Sequence, residues 1–174
     1  RPKPGLFLGR GMDLWQRLTV VDIGLHDPAP ESGMQILEMN DPVHPRRSLR
    51  TAHKGSNGRV ILFCGSTGMA GAAAIAATAA LRSGAGLVFL GVPESIYGIC
   101  AVKNEEAMPF PLPCDEKGRF VPAALRELMK RDIACDVLAL GPGMGRSEGV
   151  RAFVKELVRG FEGTLLLDAD ALWA

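Results

Sequence analysis

The sequence predicts an α/β fold, a mostly parallel sheet with helices on both faces, and three observations carry that reading. Residues 59–64, 87–92, 137–140 and 164–167 are short apolar runs without polar alternation, the pattern of strands buried on both faces. Helical stretches separate several of them, and strands alternating with helices imply parallel pairing. Glycine clusters follow the first and third runs, where a strand must turn into a helix.

The elements follow in order. The β-branched run at 18–23 is strand-like, and residues 1–25 read as a piece with its own character. Residues 26–52 scatter Pro28, Pro30, Pro42 and Pro45 among polar residues, a linker composition with one short turn expected near 34–39. The strand at 59–64 leads through Gly65-Ser66-Thr67-Gly68-Met69-Ala70-Gly71 into an alanine-rich helix over about 70–83. Small side chains there let a helix lie close to a sheet. After the strand at 87–92, residues 93–121 read as less regular. The three prolines between 105 and 113 suggest a loop crossing the sheet edge. A short helix is expected over 122–131, with Pro122 near its first turn. The strand at 137–140 runs into Gly141-Pro142-Gly143-Met144-Gly145. Ser147 is a good N-cap for the next helix, whose Val150, Phe153, Val154, Leu157 and Val158 fall on one face. Gly160 and Gly163 close that helix. The strand at 164–167 ends in Asp168-Ala169-Asp170.

Composition narrows the function classes. A net charge of +1 argues against a nucleic-acid or anionic-membrane partner for the surface as a whole. Arg46, Arg47, Arg50, Lys54 and Arg59 make a local basic stretch that reads mainly as solvated linker. Cys64, Cys100, Cys114 and Cys135 have no CxxC spacing and no histidine at ligand spacing, so a reduced, cytoplasmic protein fits. No apolar run approaches the roughly 20 residues of a membrane span. The chain begins at Arg1 rather than Met and ends just after a strand, and both ends read as cut.

The chemistry gathers at strand carboxyl ends, where open α/β sheets bind ligands. The first glycine loop has GxxGxxG spacing, neither the P-loop nor the dinucleotide GxGxxG pattern. Its glycines permit close backbone approach, and the helix N-terminus that follows favours phosphate. A purely structural tight turn is the alternative. Glu94 stands where a dinucleotide fold places its ribose-binding acid, but the glycine spacing is wrong for that reading. Asp168 and Asp170 suit a hydrated magnesium or a helix cap equally. Lys54 is placed to reach a phosphate or to sit in a surface linker. His26 and His44 carry no assignment.

Six segments in order resemble one family. His53-Lys54-Gly55-Ser56-Asn57-Gly58-Arg59-Val60 is similar to an HKGxxGRV opening, and 65–73 to a GGSxxMxGAA loop. Residues 80–88 match ALRxGAGLV. Glu106, Met108, Pro111 and Leu112 fall in an E-x-M…PL stretch. Residues 141–145 resemble GPGLG with Met144 in place of leucine, and 167–172 resemble LDADAL. The family is the ADP/ATP-dependent NAD(P)H-hydrate dehydratase, with a ribokinase-like fold. Residues 1–25 resemble the closing segment of the epimerase domain that precedes the dehydratase in bifunctional members.

The resemblance implies a domain plan: an epimerase-like tail at 1–25, a linker at 26–52, and the N-terminal part of a dehydratase domain at 53–174. It implies repair of the S-epimer of hydrated NADH or NADPH, with ADP or ATP and Mg2+ as cofactors. The ring hydroxyl is phosphorylated and phosphate is then eliminated. Carried over by position, Ala72, Gly143, Met144 and Gly145 line the hydrate site. Lys54, Gly55, Asp168 and Asp170 serve the nucleotide side, and no metal ligand is assigned. The family's HPGE-like and GGTGD-like segments do not occur in these residues. The expected catalytic aspartate belongs to the latter, so no residue here is assigned as catalytic. The expected fold is therefore incomplete at its C-terminus and the piece inactive alone. A small-molecule partner, no nucleic acid, no membrane and a homo-oligomer complete the expectation. The alternatives are a small-molecule kinase of the ribokinase-like group and a non-catalytic truncated binding module.

Overall fold

The computed structural model describes residues 9–14, 17–19, 21 and 51–174. The chain divides into two compact units, Arg1–Val43 and His44–Ala174, and the division falls inside the stretch read as linker. In the first unit Gly9–Leu14 forms a 3-10 helix. Of the strand expected at 18–23, Leu18, Thr19 and Val21 lie in irregular backbone, and the rest is outside the described residues, as is the turn expected near 34–39.

The second unit holds five parallel strands: β1 (Arg59–Phe63), β2 (Leu87–Pro93), β3 (Met108–Leu112), β4 (Val137–Leu140) and β5 (Thr164–Leu167). Their spatial order is β3-β2-β1-β4-β5. The helices are α1 (Ala70–Arg82), α2 (Glu94–Lys103), α3 (Ala123–Met129), α4 (Glu148–Gly160) and α5 (Asp170–Trp173).

Side-chain alternation along each strand splits the core in two. Leu62, Cys64, Val88, Leu90 and Val92 face α1 and α2, where Ala73 and Ala77, one turn apart, are fully buried. Alanine at those positions keeps the helix close to the sheet, as its composition predicts. Ile61, Phe63, Leu138 and Leu140 face α3 and α4 on the other side. There Phe63 meets Phe110, Phe120 and Phe153 edge-on, with centroids 6.3, 6.2 and 5.4 Å away, while Phe120 and Phe153 stack at 4.8 Å. Gly91 makes room for this cluster, because a Cβ there would lie 2.4 Å from the Phe63 ring.

Ser147 caps α4 as its residue type predicts, its side chain accepting from the Val150 amide at 3.1 Å. The region 93–121 departs from its expected irregularity. Residues 94–103 are helical, with Ile96 and Cys100 buried one turn apart. The proline-rich stretch is strand β3 at the sheet edge rather than a loop crossing it. Pro109, Pro111 and Pro113 recur at the two-residue strand period. Met108, Phe110 and Leu112 keep the amides that can bond to β2, so the missing N–H groups fall on the outer side.

β5 is the opposite edge. Leu165 and Leu167 pack toward α4, whereas Leu166 on the other face is 53% exposed. Beside it an open groove of about 510 Å3 runs between α1 and β4, lined by Ala76, Ala80, Leu62, Ala139 and Leu166 among others. Among the described residues no helix is long and apolar enough to cross a membrane.

Candidate functional site

The strand order places β1 and β4 side by side at the centre of the sheet. From β1 the chain turns to α1 on one face; from β4 it turns to α4 on the other. Such a reversal opens a crevice at the strand carboxyl ends. Both glycine loops leave the sheet there, and hydrogen bonds tie them together. The Gly65 amide donates to the Pro142 carbonyl at 2.8 Å, and the Gly141 amide to the Phe63 carbonyl at 3.1 Å. The buried Ser66 hydroxyl donates to the Gly143 carbonyl at 2.8 Å.

The loops approach too closely for side chains. A Cβ on Gly143 would lie 2.9 Å from the Ala72 Cβ and 3.0 Å from the Met69 Cβ. At Gly141, φ is +134° and a Cβ would lie 1.8 Å from the Asp168 carbonyl oxygen, so only glycine fits. The amides of Gly68, Ala70, Gly71 and Gly143 take no backbone carbonyl among the described residues. Together with the N-terminus of the 13-residue α1, they make this end of the crevice hospitable to anionic and strongly polar groups.

Asp170 secures the second loop. Its Oδ2 accepts from the Gly145 amide at 2.9 Å, and its Oδ1 pairs with the Arg146 Nε at 3.2 Å. The intervening Ala169 has φ 47° and ψ −114°, an unfavourable backbone for alanine, at the turn from β5 into α5. Both oxygens of Asp170 are therefore committed within the protein. Asp168 is exposed and forms no side-chain hydrogen bond among the described residues. The two carboxylates thus have different surroundings, which their shared position at a strand end does not foretell.

A third piece leans over both loops. Residues 115–118 form a turn, with the Gly118 amide donating to the Asp115 carbonyl at 2.8 Å. Asp115 Oδ1 accepts from the Lys117 and Arg119 amides, each at 2.9 Å. Burial works to raise the Asp115 pKa, but hydrogen bonds from Arg119, its charge and the Lys117 amide outweigh that and hold the carboxyl below its ordinary 3.8. The Gly118 carbonyl accepts from the Thr67 amide at 3.3 Å, and Thr67 Oγ1 donates to Ser95 Oγ at 3.1 Å. Ser66 and Thr67 were read from the sequence only as members of the first glycine loop, and Ser95, Asp115 and Arg119 were not singled out. The Asp-x-x-Gly spacing of 115–118 announces a turn, but not what the turn touches.

Of the expected site residues, Ala72, Gly143 and Gly145 come together at the crevice. Met144 is 0% exposed, its side chain part of the core cluster on the α3–α4 face. Lys54 and Gly55 begin a 3-10 helix, Lys54–Asn57, ahead of β1. They lie at the amino end of the strand, about 16 Å of extended chain from the glycine loops at ~3.3 Å per residue. Glu94 opens α2 and is exposed. Cys64, at the carboxyl end of β1, is buried, and burial, with the negative charge of Asp168, pushes its thiol up to about 12. Among the described residues no three His, Cys, Asp or Glu side chains gather to hold a metal ion. With Asp170 committed to Gly145 and Arg146, the described residues do not by themselves fit a magnesium centre.

A family model described as NAD(P)H-hydrate dehydratase matches residues 60–174, two thirds of the chain and both glycine loops. The chain belongs to the NAD(P)H-hydrate dehydratase family. It is 39% identical to the bifunctional NAD(P)H-hydrate repair enzyme of Moorella thermoacetica, over 98% of this chain and 33% of that protein. The solved ADP/ATP-dependent NAD(P)H-hydrate dehydratase of Bacillus subtilis, co-crystallised with ATP and Mg2+, is similar at 27% identity. Its TM-score is 0.57, over 74% of this chain and 43% of that one. A ribokinase-like superfamily protein of Enterococcus faecalis, 23% identical, shares the fold with a TM-score of 0.60, over 73% and 42% of the two chains. The chain thus spans about a third of the length of the curated relative. The dehydratase family and the ribokinase-like architecture both agree with the six-motif resemblance.

Proposed function

We propose that residues 53–174 form the hydrate-binding half of a nucleotide-dependent NAD(P)H-hydrate dehydratase. The observation that carries this is the crevice between β1 and β4, where Ala72 meets Gly143 and unpaired loop amides surround the contact. The substrate is the S-epimer of hydrated NADH or NADPH, a polar ring on an anionic dinucleotide. Close backbone approach at Gly143 and Gly145 leaves space for that ring, and the α1 N-terminus favours its charged groups. ADP or ATP would supply the phosphoryl group that turns the ring hydroxyl into a leaving group, with Mg2+ brought by the nucleotide rather than held by a carboxylate centre of these residues. The part of this chain is to bind, orient and exclude water, the main levers in phosphoryl transfer.

The nucleotide roles of Lys54, Gly55, Asp168 and Asp170 belong to the same proposal. The committed oxygens of Asp170 support a part in holding the second loop, and the exposed carboxylate of Asp168 suits a water-borne contact to the nucleotide. Epimerase activity in a longer bifunctional protein, a homo-oligomeric state and a cytoplasmic location complete it. The free Cys64, Cys100, Cys114 and Cys135 support a reducing compartment.

Calorimetric titration of the full chain with the S-epimer of hydrated NADH tests the binding site. The wild-type chain binds, and Ala72→Leu, which fills the contact beside Gly143, abolishes binding while the circular dichroism stays native. Equal binding by the wild type and Ala72→Leu would sink the assignment.

A further inference from the structure

We propose that Arg119 is a positioning residue that sets the separation of the two glycine loops, and through it the width of the substrate crevice. It does so from outside the loops. The Arg119 Nε and Nη2 hold Asp115 Oδ2 at 2.9 and 2.7 Å, which closes residues 115–119 into a rigid turn. The guanidinium has a further donor to spare, and Nη1 reaches the Arg146 carbonyl at 3.0 Å, just past the second glycine loop. The stem of the same side chain covers Gly145: a Cβ there would lie 3.1 Å from the Arg119 Cδ and 3.4 Å from its Cγ.

The neighbouring residue grips the first loop. The Gly118 carbonyl accepts from the Thr67 amide, and a Cβ on Gly118 would lie 2.0 Å from Thr67 Oγ1 and 2.4 Å from Ser95 Oγ. Two adjacent residues therefore hold one loop each. The next residue anchors them: Phe120 is fully buried and stacked on Phe153. Displacement of the turn is resisted by the aromatic core, so the turn acts as a spacer of fixed width. A planar fork that can bond a carboxylate and a carbonyl at once is a property of arginine; the compact ammonium of lysine does not reproduce it.

The loop-positioning role stands on this geometry; its consequence for substrate rests on the dehydratase reading, and the two are tested separately in the full chain. Amide hydrogen exchange reads the first. In Arg119→Ala the Thr67 and Gly145 amides exchange about tenfold faster while Val88 and Leu90 in β2 are unchanged, a local rather than global opening. Arg119→Lys keeps the pairing with Asp115 and protects Thr67, but leaves Gly145 fast. Unchanged exchange at Thr67 and Gly145 in Arg119→Ala, or a rise that spreads equally through β2, overturns the proposal. Calorimetry with hydrated NADH reads the second. Arg119→Ala weakens binding about fivefold through lost pre-organisation, and Arg119→Lys recovers part of it. Wild-type affinity in Arg119→Ala refutes the link to substrate. A wild-type chain that does not bind the hydrate contradicts the dehydratase reading instead, and exchange still decides the role of Arg119.

Discussion

Asp170 and Asp168 stand two residues apart, yet one is spent on structure and the other faces solvent. The difference comes from the turn at Ala169, which aims Asp170 at the Gly145 amide and Arg146. Asp170→Ala leaves that amide without its acceptor and is expected to destabilise the chain by about 1–3 kcal/mol. Urea unfolding measures this, and Asp168→Ala run alongside changes stability by less than about 0.5 kcal/mol. Cys64 provides a pH-linked counterpart. Its thiol ionises near 9.0 when unfolded and at about 12 in the fold, so between those values the folded state holds the extra proton. Stability is complete below pH 9.0 and falls as pH rises through that window, and Cys64→Ala removes this part of the slope. Urea midpoints at a series of alkaline pH values provide the check. Ala72 and Gly143 were named through the family resemblance, carried over by position; the residues alone made legible only that both glycine loops permit close backbone approach at strand carboxyl ends. Neither route made Arg119 legible, since an arginine in a polar turn looks the same whether it faces water or braces two loops.

Among the elements, β3 and the 115–119 turn were the hard ones to read. Proline normally argues against a strand, and three prolines within 105–113 masked one. Only the pairing with β2 reveals that their two-residue period blocks one side of an edge. Restoring those donors with Pro109→Val and Pro111→Val together leaves the core intact and opens the edge to another strand. Light scattering then reports concentration-dependent self-association that the wild type lacks. α2 escaped notice for a different reason: its β-branched and aromatic residues are poor helix formers, and tertiary burial of Ile96 and Cys100 decides the matter. By contrast α1 and α4 were plain, one from its alanines and the other from its cap and apolar face. The 115–119 turn carries its own pH signature. Asp115 is held below its ordinary 3.8, so the pair with Arg119 contributes fully above that pH and is lost as pH falls through the lower folded value. Arg119→Ala flattens the acid limb of the stability curve over that range, readable by circular dichroism.

For the molecule as a whole, the order β3-β2-β1-β4-β5 turns two glycine loops, remote in sequence, into the two walls of one crevice. Four of the five strands were legible as apolar runs, and their parallel sense from the alternation of strands with helices. The order was not, because it depends on which face each helix covers. The same arrangement leaves Leu166 exposed beside the groove along β4 and β5, a surface that parallel sheets normally cover. The central claim is that this crevice holds hydrated nicotinamide dinucleotide for a nucleotide-dependent dehydration. Its most direct test is a chimera in which residues 53–174 replace the matching segment of the Moorella thermoacetica repair enzyme. The assay follows recovery of NADH absorbance from the S-hydrate with ADP or ATP and Mg2+. The account predicts nucleotide-dependent recovery that is lost when Ala72→Leu is introduced. A folded chimera that recovers no NADH, beside a parent enzyme that does, would contradict it.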